Sequence, residues 1–407
     1  MKRLSIILLV AIVSISSFAL NEKKETAKES GTSSFQPEPL DDDWSKWLVG
    51  EWEGLVESDV GTGKIRTKIE FGLNGQFLIM KSEAEITEIT DKQRQYLRET
   101  LHASDEYIEK SQNSIFKELQ IHTIDPKTGE VVGYLFDGLR CIAEGRARRQ
   151  GNKEIIEWTW TANAQGATSV GIIEKINDNK FTGNHKYILP NGNKMEAKAE
   201  MNRRKEIVKD NSLPSFQMEP LDDEWSKWLV GEWKVVSGEL SVTDESGKVG
   251  KIDLDEQGAD SFKIKFGLNG QFLIMRGSSG EMTDEQKKQI KDMSKEMTNA
   301  SDEDIERFLS MPYKSLQIQT IDPKTSEVIE YLFDSQRCIA QGRGGRQGNK
   351  EIIKWEWSAT AQGATSVSII EKINDNKFTL NNKYILPNGN KMEDKAEFAR
   401  KKIKTEK

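Results

Sequence analysis

The residues able to do chemistry are few and unevenly placed. The chain has three histidines, His102, His122 and His185, all in its first half. The second half repeats the first, as described below, and has none. A Ser-His triad or a histidine metal site common to both halves is therefore excluded, and no metal and no cofactor is expected. Arginines flank both cysteines: Arg140 and Arg146 around Cys141, Arg337 and Arg343 around Cys338. Even spacing puts each pair on one strand face, with Ile142 or Ile339 between. On an inward face, two guanidiniums would need an anion, and a ligand carboxylate would serve bidentately. Tyr134 and Tyr331, or Tyr187 and Tyr384, would add a hydroxyl. On an outward face, the arginines would instead pair with acids such as Glu144, which becomes Gln341 in the second copy.

Carboxylates give less. Glu51, Glu232, Asp137 and Asp334 share no predictable site with a second acid, so paired acid–base catalysis has no support. Asp253, Asp255, Gln257 and Gly258 imitate the start of a calcium loop, but Ile264 stands where its bidentate glutamate belongs. That segment reads as a solvated hairpin tip. The two cysteines occupy equivalent positions in the repeats. A bridge would require the halves to meet face to face, and unpaired buried thiols are expected instead.

The elements that must position these groups come in two sets. "FQPEPLDDDWSKWLVGEW" from Phe35 matches "FQMEPLDDEWSKWLVGEW" from Phe216. "FGLNGQFLIM", "IDPKT", "RQGNKEII", "AQGATSV" and "KYILPNGNKME" each recur in the same order. The repeats span 35–204 and 215–402, each the size of a whole domain. Polar segments at 21–34 and 205–214 read as linkers. Within a repeat, apolar residues alternate with period two. "EIIEWTW" sets Ile156, Trp158 and Trp160 on one face, and Ile353, Trp355 and Trp357 follow suit while the outer charges change. Asn191-Gly192 and the "GLNG", "DPKTG" and "INDNKF" segments are turns. About ten hairpin-linked strands per repeat predict two antiparallel up-and-down β-barrels in tandem, since closure removes exposed edges. Trp158, Trp160, Trp355 and Trp357 then either fill a small barrel or line its cavity.

One segment per repeat breaks the pattern. "ITDKQRQYLRETLHASDEYIEKSQNS" predicts two short helices, with Thr90 and Gln93 as a capping box and Ser104 as the next N-cap. Thr283, Gln286 and Ser301 repeat these signals, and Met282, Met293, Met297 and Met311 enrich the second copy. Such a hairpin would cover or plug a barrel mouth.

A short helix followed by Gly-x-Trp at the first strand, in "WSKWLVGEW" at Trp44 and Trp225, resembles the calycin signature of lipocalins and their relatives. The order of "WLVGEWEG", "IEFGLNGQFLI", "TIDPKTGEVVGYLFDG" and "KFTGNHKYILPNGNKMEAKAEMNRRK" resembles a bacterial family of uncharacterised lipocalin-like domains. The resemblance implies that a basic residue of the last strand packs over the motif's indole and closes the barrel. The candidates are Arg203 over Trp52 and Arg400 over Trp233, as cation–π pairs.

Lys2 and Arg3, an apolar run from Leu4 to Val13 and small residues up to Ala19 predict a signal peptide over 1–20, and so export to the periplasm or medium. No other segment reads as membrane-spanning. A net charge of −7 leaves no basic stripe for nucleic acid. The expected function is a non-catalytic module binding a small apolar or amphipathic ligand, including an anionic one. Filled barrels serving a protein partner are the alternative, and a small-molecule enzyme is the third reading.

Overall fold

The computed structural model describes residues 38–204 and 220–401, apart from 60, 101–103, 112–114, 127, 244–246, 248, 256–260, 388 and most of 280–311. The signal peptide, both linkers, Gln257, Gly258, Thr283, Gln286, Ser301 and the four methionines named above lie outside the described residues.

The first repeat opens with helix α1 (Asp43–Leu48) and strands β1 (Gly50–Ser58), β2 (Gly61–Gly72) and β3 (Phe77–Glu88). Helices α2 (Asp91–Thr100) and α3 (Asp105–Ser111) follow. Then come β4 (Ile115–Ile124), β5 (Val131–Asp137), β6 (Cys141–Gln150), β7 (Lys153–Ala162), β8 (Thr168–Asn177), β9 (Lys180–Ile188) and β10 (Lys194–Arg203). Each strand pairs antiparallel with its sequence neighbours, and β10 returns to β1 with Arg203 opposite Trp52. The sheet is a closed barrel.

The second repeat follows the same plan. Its elements are α4 (Glu224–Leu229), β11 (Gly231–Thr243), β12 (Val249–Asp255), β13 (Ser261–Gly267), β14 (Phe272–Ser278), β15 (Lys314–Ile321) and β16 (Val328–Asp334). They continue with β17 (Cys338–Gln347), β18 (Lys350–Ala359), β19 (Thr365–Asn374), β20 (Lys377–Ile385) and β21 (Lys391–Arg400). Here β12 and β13 share the place that β2 holds alone: β11 pairs with β13 along Gly231–Lys234 and with β12 along Ser237–Thr243. The β11–β21 pairing closes this barrel too.

The helical hairpin of the first repeat lies at the β1–β2 turn. Thr90 N–H donates to Gln93 Oε1 at 2.7 Å and Gln93 N–H to Thr90 Oγ1 at 3.4 Å, a reciprocal cap. Gln93 Nε2 donates to Ser58 O at 2.7 Å, and Ile108 buries against Ile86 and Ile89. Among the described residues no helix is long and apolar enough to cross a membrane.

The barrels meet face to face. Apolar residues on the outward faces of β3–β6 and β14–β17 form one shared cluster. Phe77 meets Phe333 at 5.8 Å and Phe136 meets Phe272 at 5.9 Å, a reciprocal exchange between equivalent positions. Tyr134 meets Tyr331 at 5.7 Å, each its own counterpart. Polar contacts obey the same pseudo-twofold: Asn74 Nδ2 donates to Pro312 O at 2.9 Å and Asn269 Nδ2 to Ile115 O at 3.2 Å. Both asparagines sit at φ near +60° (58° and 60°) in the "GLNG" turns. This is the isologous geometry of a symmetric dimer, realised within one chain. The cysteines stay apart although the barrels touch, because each lies on the inward face of its own barrel, against separate clusters.

Candidate functional site

Barrel closure is built from the repeated nonapeptide. Asp42 caps α1 by accepting from Ser45 N–H at 2.8 Å, and Asp223 does the same for Ser226. The Arg203 guanidinium lies 4.2 Å over the Trp52 ring and donates to Val49 O and Trp47 O at 2.7 and 2.6 Å. Arg400 repeats this over Trp233 at 4.2 Å, donating to Val230 O and Trp228 O. These arginines thus close the last strand onto the first and satisfy the carbonyls at the helix end. The motif glycine is required: Gly50 has φ +143°, and a Cβ there would stand 2.3 Å from Arg203 Nη1.

Beside this closure lies a charge network that the sequence reading missed. Arg149 binds Asp42 and donates to Glu154 Oε2 at 2.8 Å. Arg346 binds Asp223 and donates to Glu351 Oε2 at 2.7 Å, and Gln319 Nε2 donates to Glu351 Oε1 at 2.9 Å. Glu154 and Glu351 are buried. The repeated "RQGNKEII" was the available signal, since both members of each pair lie within it.

The arginines around the cysteines do not enter the barrels. Arg146 pairs with Glu130 at 3.0 Å and Arg343 with Glu327 at 3.2 Å, both on outer faces. Arg140 and Arg337 precede their strands in turns at φ +59° and +60°, so strand parity does not govern them. Arg337 crosses to the other barrel, donating to Glu38 O at 2.6 Å, and burial lowers its pKa to about 10. Tyr134 and Tyr331 belong to the inter-barrel face, where Tyr331 O–H donates to Glu144 Oε1 at 2.7 Å. The reason is local: in "VVGYLFD" both faces are apolar, and the inward ones are Val131, Gly133 and Leu135. The inward-arginine expectation, and with it a guanidinium site for an anionic head group, is corrected by this placement.

The four tryptophans of β7 and β18, Trp158, Trp160, Trp355 and Trp357, do point inward and are buried. In the second barrel they wall an interior cavity of about 100 Å³. Phe262, Phe378 and Phe398 complete the apolar wall, and Leu229 of α4 lies at one end. Glu330, Gln317, Ser315, Asn382 and Tyr384 supply polar atoms. Trp355 Nε1 donates to Ser368 Oγ at 2.8 Å and Trp357 Nε1 to Ser366 Oγ at 2.9 Å, which fixes both rings. Larger concavities of about 1290 and 600 Å³ are open grooves on the outer faces, and Arg146 and Arg343 lie there.

The two interiors have diverged in chemistry at matched positions. In β4–β5, His122 faces Gly133; in β15–β16, Gln319 faces Glu330. In β9–β10, His185 faces Ala197; in β20–β21, Asn382 faces Asp394. A histidine with a small partner is thus replaced twice by an amide with an acid. Space explains the coupling at the first pair, where a Cβ on Gly133 would meet Trp158 Cη2 at 2.9 Å and His122 Nε2 at 3.1 Å. In the first barrel, Trp160 Nε1 and His185 Nε2 both lie 2.8 Å from Ser169 Oγ, and Tyr187 stacks on His185 at 4.2 Å. His122 joins Gln120 at 3.1 Å, and Gln120 donates to Glu118 at 2.6 Å. Among the described residues no three His, Cys, Asp or Glu side chains are grouped to hold a metal ion.

Burial sets the ionisation of both interiors. It pushes Asp394 up to about 8 against the hydrogen bonds from Asn382, and it holds His122 and His185 down at about 4. Asp394 therefore contributes stability that is full below its unfolded pKa near 4. That contribution fades as pH rises towards 8, by about 1.4 kcal/mol per unit at most. The histidines act oppositely, losing stability as pH falls from about 6.5 towards 4. Asp394→Asn should match the parent's melting temperature within a few degrees at pH 5 and exceed it at pH 8. Parallel melting curves at both pH values would refute this assignment.

No protein-family model matches the chain, and no curated protein matches it. Solved structures resemble it distantly. An S-type phycobiliprotein lyase from Guillardia theta is 11% identical with a TM-score of 0.27, over 40% of this chain and 93% of that one. A DUF3598-family protein of unknown function from Nostoc punctiforme is 11% identical with a TM-score of 0.21, over 89% of this chain and 100% of that one. The transferrin-binding protein B of Haemophilus parasuis is 10% identical with a TM-score of 0.18, over 87% and 76%. Likenesses this remote say nothing of ligand or activity.

Proposed function

We propose that this chain is an exported, non-catalytic binding protein of two lipocalin-like barrels, and that its second barrel holds a small ligand. The observation that carries the reading is the interior cavity of about 100 Å³, with tryptophans fixed by hydrogen bonds and polar groups converging on it. A drug-sized ligand fills roughly 300 Å³ or more, so the occupant has only a few non-hydrogen atoms. The first barrel, with Trp160, His185 and Tyr187 bonded or stacked to one another and His122 held by Gln120, serves as a scaffold that docks the second. The export segment and the lipocalin kinship rest on the N-terminal residues and on Gly-x-Trp.

Native mass spectrometry of the full chain, purified from its own host without detergent, tests this. A small molecule should co-purify and be released on denaturation. Leu380→Trp, which fills the cavity wall, should lose it. Retention of the molecule by that variant would place it elsewhere and overturn the reading.

A further inference from the structure

The second barrel carries acids that the first lacks. Glu330 and Asp394 stand where the first repeat has Gly133 and Ala197. Glu330 is 4% exposed and faces the cavity. The basic side chain that acts on it, Arg346, is already engaged by Glu351 and Asp223. Gln319, directly across the ladder from Glu330, has a buried Oε1 with no hydrogen-bond partner.

The aromatic wall and this carboxyl line the same cavity. Glu330, Gly342 and Trp355 are in register on β16, β17 and β18. A Cβ on Gly342 would stand 2.8 Å from Trp355 Cε3, so the indole covers the glycine that lies between it and Glu330 in the ladder. Ser368 holds the indole N–H at 2.8 Å, and the first repeat has Gly171 there. The differences at 133/330 and 122/319 replace a packed histidine ring with an amide and a carboxyl, and the carboxyl lines the same cavity as Trp355. Burial, with Glu351 nearby, pushes the Glu330 carboxyl well above the usual carboxylate range; a bound cation supplies the missing counter-charge and favours its ionised form, and an indole face attracts cations.

We propose that the cavity of the second barrel receives a small alkylammonium ion, its charge on the Glu330 carboxylate and its alkyl part against Trp355, Trp357 and Phe378. This rests on the binding-module reading and names its ligand class. A ligand carboxylate would meet the Glu330 carboxyl and no cation among the residues lining the cavity. The first barrel cannot take the same ion, because its Trp158 and His122 crowd the position of the acid.

Calorimetric titration of the full chain at pH 7.5 with n-butylammonium, n-butanol and butyrate tests it. The ammonium should bind at least tenfold more tightly than the alcohol, and butyrate should not bind. Glu330→Gln, isosteric with the protonated acid, should abolish the preference while the chain keeps its cooperative melt. Equal binding of alcohol and ammonium would overturn the cation assignment and leave the cavity reading standing. A preference that survives in Glu330→Gln would overturn the role of Glu330. Binding of none of the three would overturn both.

Discussion

Trp52→Ala is expected to destabilise the first barrel by about 3–5 kcal/mol, the range for removing a buried large aromatic. Trp52 is 1% exposed, and its indole N–H donates to Leu48 O at 2.8 Å. It packs edge-to-face on Trp47 and Phe181 at 5.7 and 4.7 Å. Its face carries Arg203, so truncation removes the wall, the cation–π partner and the link between α1 and the last strand together. Trp233→Ala should do the same to the second barrel, since Trp233 bonds Leu229 O at 2.8 Å and meets Phe378 at 4.9 Å. Urea unfolding with far-UV detection measures both. A loss under about 1 kcal/mol, ordinary for a surface substitution, would show that the motif does not close the barrel.

Phe333→Asp should separate the barrels without unfolding either one. Phe333 is 0% exposed at the pseudo-twofold centre, within 5.1 Å of Tyr134 and 5.8 Å of Phe77. A carboxylate there has no cation to meet among these rings, and an unpaired buried charge costs several kcal/mol. The side chain faces away from its own barrel's interior, so the burden falls on docking rather than on folding. Small-angle scattering should show a larger radius of gyration, and thermal unfolding should split into two transitions. Phe136→Asp should behave alike by symmetry. A compact particle with one sharp transition would contradict the interface.

Much of this architecture is legible in the sequence, and the failures have definite causes. Duplication, strand periodicity and turn chemistry lead to two closed barrels because each hairpin signal is local and occurs twice. Strand faces are legible where one face is polar, as in "EIIEWTW". They are not legible in "VVGYLFD", where apolar residues on both faces leave the barrel side and the docking side indistinguishable. Placing Tyr134 and Tyr331 in a cavity fails for that reason. Strand parity does not place Arg140 and Arg337, because a left-handed turn interrupts it. Glu330 is not marked by the shared pattern, because its counterpart in the first repeat is a glycine. Comparing the repeats strand by strand, rather than seeking what they share, would have marked it together with Gln319 and Asp394.

The most direct test of a ligand-binding second barrel is methyl-detected NMR of the full chain during titration with n-butylammonium. The account predicts shifts confined to the methyl groups around the cavity, those of Leu229, Ile264, Met275, Leu332, Ile353, Ile370 and Leu380. Shifts on the outer grooves or in the first barrel, or none at saturating amine, would contradict it.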